Sequence, residues 1–279
     1  MPAGPALAHA AAPDDEPGWN FALWLTLPLA LSALVWGVGL ARRWRRTLAG
    51  KRLLRREAGW FALAWLILAL AVLSPLHAAG ERSFTMHMIE HEIIMMAAAP
   101  FFALARPLPT MLWGLAQPWR SWLAALVATT SAFWRAISAP VLATIAQALA
   151  LWLWHAPSLF ELALQSDVWH AVQHLSFFVT ALLFWAAMLD ARRSVGVRAL
   201  CLFATSIISG ALGALMAFSN SPWYEPYAML GMTPQGLTPA ADQQLAGVLM
   251  WVPGGFVHAG AALALLAPLL RAGETSRAR

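Results

Sequence analysis

Seven apolar segments, at roughly 19–41, 58–76, 85–105, 138–155, 168–189, 199–219 and 241–270, take up most of the chain. Each runs for about 18 residues or more, enough for an α-helix to cross a hydrocarbon core of about 30 Å. The expected fold is therefore all-α, a polytopic membrane helix bundle of seven transmembrane helices. A 60% hydrophobic share with only 11% charged residues agrees with a membrane protein and not with a soluble core. The stretch 107–135 stands apart. Arg106, Pro107, Pro109, Pro118, Arg120 and Arg135 break it up, so it reads as an amphipathic or interfacial segment and not as an eighth span.

The basic residues orient this bundle. Arg42, Arg43, Arg45, Arg46, Lys51, Arg52, Arg55 and Arg56 follow the first span, and Arg106, Arg120 and Arg135 follow the third. Arg192, Arg193 and Arg198 follow the fifth, and Arg271, Arg277 and Arg279 follow the seventh. With seven spans all of these lie on one side, and of 18 basic residues only Arg82 lies on the other. The positive-inside rule makes the rich side cytoplasmic and puts the N-terminus outside. An eighth span would destroy the pattern. The expected organisation is an extracytoplasmic tail over 1–18, a membrane domain over 19–270 and a cytoplasmic tail over 271–279, in a bacterial inner membrane. The basic balance is then a topology signal and an attraction to anionic lipid; it implies no nucleic acid.

The chain has one cysteine, Cys201, which excludes an intramolecular disulfide and any Cys-x-x-Cys metal or redox motif. A metal site in this chain must be built from His, Met and carboxylates. The sequence offers one. His87-Met88-Ile89-Glu90-His91 and His170-Ala171-Val172-Gln173-His174 both read H-x-x-[E/Q]-H, and both begin an apolar segment. A spacing of four puts each pair of imidazoles on one helix face, a turn apart. Spans three and five run in the same direction, so the two pairs share a depth. Polar groups at a span end are costly without a purpose.

His87, His91, His170 and His174 are accordingly the core candidate ligands of a metal. His77 and His155, at the same end of spans two and four, are further candidates. Neutral imidazole suits copper, zinc, iron or nickel, and thioethers favour Cu(I). Met86, Met88, Met95 and Met96 surround the first pair, and copper is the expected metal. Glu90 and Gln173 are placed to orient an imidazole N–H. Met88 supports the first pair, and Asp242, at the outer start of span seven, is placed to close the site. The loop over 220–240, rich in Pro and Gly, is a candidate lid. His258 lies about 24 Å along a helix from Asp242, which fits a hydrogen-bonded packing residue.

Other chemistries compete for the same histidines. Two stacked haems need histidines several turns apart, although one haem does not. A zinc protease would use Glu90 as its base, but the second motif carries Gln173, which cannot act as one. A conduction pathway would need polar residues through the inner half of a span, and none forms a ladder.

Ser74-Pro75-Leu76, His87-Met88 through His91, Ala99-Pro100, Trp154-His155-Ala156-Pro157, Gln173-His174, Asp242-Gln243-Gln244-Leu245-Ala246-Gly247 and Trp251-Val252-Pro253-Gly254 occur in that order. In order and placement they resemble the multi-span CtaG family of bacterial cytochrome c oxidase assembly factors, over about 58–270. The resemblance implies a role in maturing a haem-copper oxidase, by supplying or inserting copper. It implies the oxidase subunits and a periplasmic copper donor as partners, and leaves a homo-oligomer open. The alternative is a membrane redox protein or metalloenzyme that uses the same histidines.

Overall fold

The computed structural model describes residues 18–277, with side chains to residue 268. The tail expected over 1–18 lies outside the described residues except for Gly18. Among the described residues the elements are helices, with no strand. Six helices are long and apolar enough to cross a membrane, and a bent pair makes seven if it counts as one span.

The first two spans are α1 (Leu23–Arg46) and α2 (Lys51–Leu73). The basic linker expected over 42–57 is mostly helix. Only 47–50 turn the chain, because Gly50 adopts a left-handed φ of 88° that other residues rarely tolerate. The arginines instead extend both helices past their apolar stretches, as long cationic side chains do at an interface. Two of them fasten the neighbouring chain. Arg43 pairs with buried Glu57 at 3.2 Å and also meets the Thr110 hydroxyl. Arg42 donates to the carbonyls of Trp113, Gly114 and Leu115 at 2.9, 3.1 and 2.8 Å. These are acceptors left over where a helix ends.

A short helix, α3 (Pro75–Gly80), follows, with Pro75 at its first position and the Ser74 hydroxyl accepting from the Leu76 N–H at 3.3 Å. The third span is composite. It consists of α4 (Phe84–Glu92), a π-helical turn (Ile93–Ala98) and α5 (Ala99–Ala105). Pro100 accounts for an acceptor that this turn leaves open. In π geometry the carbonyl of residue i takes the N–H of i+5, as Ile94 does from Ala99. Met95 would need the N–H of Pro100, which does not exist. The indole of Trp185 donates to the Met95 carbonyl instead, at 3.0 Å.

The segment 107–135 contains α6 (Pro107–Gly114), α7 (Gln117–Thr129) and most of α8 (Ser131–Ile137). None has the length of a span, and α7 buries no residue. A 68° bend separates α8 from α9 (Pro140–Trp154), where Pro140 sits in the first turn. By rise alone α9 is about 22 Å long, so the fourth crossing is short or broken.

The remaining elements are α10 (Pro157–Gln165), α11 (Asp167–Leu189), α12 (Val195–Ala217), α13 (Glu225–Leu230) and α14 (Pro239–Arg277). Residues 271–277, expected as tail, continue α14. The α12–α14 packing is the most extensive in the bundle. It depends on small residues: a methyl group on Gly213 would lie 2.7 Å from the Gly247 carbonyl. The third span is central, against α2 on one side and α11 and α14 on others, and so α4 and α11 carry their histidines into one place.

Candidate metal centre

The helix period brings together what the sequence spaces apart. Within α4 the His87 and His91 rings lie 4.4 Å apart, and within α11 the His170 and His174 rings do the same. Across the helices His87 stacks on His170 at 5.2 Å, and His91 meets His174 edge-on at 4.9 Å. One nitrogen from each of the four lies within 4.8 Å of all the others. His87 and His91 are buried, and the α11 pair is partly buried.

Hydrogen bonds around this quartet decide which nitrogen is available. The Tyr227 hydroxyl donates to the Gly80 carbonyl at 2.6 Å, so its oxygen is left to accept from His87 Nδ1–H at 3.2 Å. Burial, above all, holds the Tyr227 phenol well above its ordinary pKa, so it remains a donor. The lone pair of His87 is then on Nε2, which is buried with no hydrogen-bond partner among the described residues. Glu90 accepts from His77 Nδ1 at 3.0 and 3.1 Å and faces His174 Nδ1 at 3.6 Å. His174 Nε2 is also buried without a partner, as are both nitrogens of His91. Unsatisfied buried polar atoms are rare and need an explanation. Three neighbouring imidazoles with idle nitrogens, beside a fourth, fit a metal that accepts nitrogen donors.

The chain matches the model of the cytochrome c oxidase caa3 assembly factor family (Caa3_CtaG) over residues 19–272. It belongs to that family. No curated protein and no solved structure matches it. The matched region of this family member includes the whole quartet and everything that holds it in place.

The other candidates of the sequence take distinct positions. His77 joins Glu90 and His174 in a second group of close ligand atoms next to the quartet, and its ring stacks on His170 at 5.2 Å. Burial works against its charged form, but the Glu90 hydrogen bond and charge prevail and hold its pKa above the ordinary value. His155 is outside the quartet. Its Nδ1 lies 2.6 Å from the Leu151 carbonyl and its Nε2 lies 3.5 Å from Met88 Sδ. Met88 thus packs on His155 and, among the described residues, makes no hydrogen bond to the first pair.

Gln173 is buried, yet neither end of its amide finds a hydrogen-bond partner among the described residues. It orients no imidazole, although Glu90, at the same place in the other motif, does. Asp242 acts on the helix that carries the site. It accepts from the Ser83 hydroxyl at 2.9 Å and from the N–H groups of Phe84 and Thr85 at 2.6 and 3.2 Å. This is a carboxylate capping the N-terminus of α4, where both free donors and the helix dipole favour it. Gln243 and Gln244 hold the loop that follows α12. Gln243 accepts from Trp223 N–H at 2.6 Å and donates to the Ser221 carbonyl at 3.1 Å. Gln244 donates to the Ser219 carbonyl at 3.0 Å.

Sequence reasoning passed over Tyr227 and Tyr224. Tyr224 donates to the His155 carbonyl at 2.9 Å and stacks on Phe160. A signal was present. The chain has 13 Phe and 16 Trp but only 2 Tyr, and both stand in the loop over 220–240. A buried phenol is chosen over Phe when its hydroxyl has a partner to reach. The loop expected as a lid does fold over the quartet, through α13.

Proposed function

We propose that this family member handles copper during cytochrome c oxidase assembly, binding it at His87, His91, His170 and His174 and passing it toward the oxidase. One observation carries the reading: buried imidazole nitrogens of two spans converge at one depth with no partner inside the described chain. Copper is favoured over zinc by the methionines next to the site and by its being the oxidase's own metal. The partners would be oxidase subunits and a periplasmic copper donor.

The geometry counts against the rivals. The stacked His87 and His170 rings are only 5.2 Å apart, which leaves no gap for a porphyrin between them. Glu90, the base a zinc protease would need, is engaged by His77. The reading also needs the histidine end to face the periplasm and the arginine end the cytoplasm, as the positive-inside rule requires. A cysteine in place of Ala49 should then react only from the cytoplasmic side, and reaction from the periplasmic side would reverse the orientation. The function itself is tested on the purified protein, by metal analysis and optical spectrum together. Copper without a Soret band is the expected result. A Soret band would replace this reading with a membrane cytochrome.

A further inference from the structure

The arginine end of the bundle carries more positive charge than its own carboxylates balance. Among the described side chains those carboxylates are Glu57, engaged by Arg43, and Asp190, engaged by Arg192 and Arg193. At one place the unbalanced charge is gathered. The guanidinium of Arg46, at the end of α1, lies 5.2 Å from the centre of the Trp113 ring, and that of Arg120, on α7, lies 4.7 Å from it. Neither has a carboxylate partner among the described residues. A guanidinium over an indole uses its face and leaves its N–H edge free to donate. The indole itself is held in place. Arg42 binds the carbonyls of Trp113, Gly114 and Leu115. The backbones of α1 and α6 also touch, so that a methyl group on Gly39 would strike the Thr110 carbonyl and one on Gly114 the Val35 carbonyl. The two cations and their ring are therefore arranged before any partner arrives.

Trp113 and Arg120 line an open groove between α6 and α7, together with Pro109, Leu112, Ser121 and Ala124. Half of this lining is apolar. The Ser121 hydroxyl accepts from Gln117 Nε2 at 3.5 Å and keeps its own proton to donate. α7 buries no residue and exposes Trp119 and Trp122, as a helix lying in a membrane interface does. Cationic donors beside apolar wall, at that level, match a molecule with both a phosphate and a hydrocarbon chain. Guanidinium edges bind phosphate oxygens in pairs, and the positive-inside rule puts this end in the leaflet that holds anionic lipid. We propose that Arg46, Arg120 and Ser121, around Trp113, seat the headgroup phosphate of one anionic phospholipid, with its acyl chain against Pro109 and Leu112. An acidic polypeptide would use the same charges but would leave the apolar wall uncovered. The seat lies at the opposite end of the bundle from the quartet, and it stands or falls apart from the copper reading.

Native mass spectrometry of the purified full-length protein counts the phosphatidylglycerol it retains, against phosphatidylcholine of the same acyl chains. The protein should hold one more phosphatidylglycerol than phosphatidylcholine. Arg46→Gln combined with Arg120→Gln should weaken that one lipid by about 30-fold, the effect of two basic residues beside a headgroup. Arg52→Gln combined with Arg56→Gln is the control. It removes the same charge from the same end, at exposed arginines outside the groove, and should leave the lipid in place. All four positions are exposed or half-buried, so both double variants should fold. Equal loss in the two would reduce the seat to general attraction between charges and overturn the proposal. Equal retention of the two lipids by the unsubstituted protein would also overturn it, and would leave the groove to an acidic polypeptide. So would release of the lipid by excess inorganic phosphate, which would mark a site for the free anion.

Discussion

Replacing His87 and His91 together by Ala should give a folded protein whose quartet no longer retains copper. Folding should survive because the imidazoles contribute little to it. Both nitrogens of His91 and Nε2 of His87 are buried without hydrogen-bond partners among the described residues, so removing them relieves unsatisfied groups as well as leaving space. Binding should not survive. Two donors are lost at once, and a low-dielectric site has little water to replace them. Replacing His170 and His174 together by Ala should abolish copper retention in the same way. A single Tyr227→Phe variant should act more mildly. It removes the oxygen that accepts from His87 Nδ1–H, and loss of such an outer partner typically weakens metal affinity about 10–100-fold. Copper per protein after dialysis, read beside a thermal melt, checks the series. Full occupancy in the folded double variants would show that the quartet is not the site.

The parts of this molecule that periodicity governs were legible in advance. A four-residue spacing must place His87 over His91 and His170 over His174, and parallel spans of matched start must bring the pairs level. What pairs with what across the bundle was not legible. Glu90 and Gln173 occupy equivalent motif positions, yet one reaches His77 and His174 and the other hydrogen-bonds no imidazole among the described residues, because their helices face different neighbours. Asp242 was expected at the site and instead caps α4, a role that depends on where α14 begins relative to Ser83. Hydropathy ended the first span too early. Snorkelling side chains let α1 continue to Arg46. The break between α8 and α9 lies at the start of the expected fourth span, where Pro140 marks it.

A strain that lacks this chain should make oxidase polypeptide with less copper and less activity per molecule. The argument is one of chemistry and position. The quartet lies at the start of two spans, beneath a loop held by Tyr224 and Tyr227, and not at the centre of the bundle. A metal bound there is near an aqueous face and can exchange with a donor and an acceptor, while imidazole and thioether ligands keep copper bound but labile. The quartet variants should reproduce the loss in the strain. Added copper should restore part of the activity if the chain acts by raising the local supply of metal. The measurement is oxidase activity divided by oxidase protein, under conditions in which the oxidase is expressed. An unchanged ratio would remove the assembly reading for this member of the family and favour a redox or enzymatic use of the same four histidines.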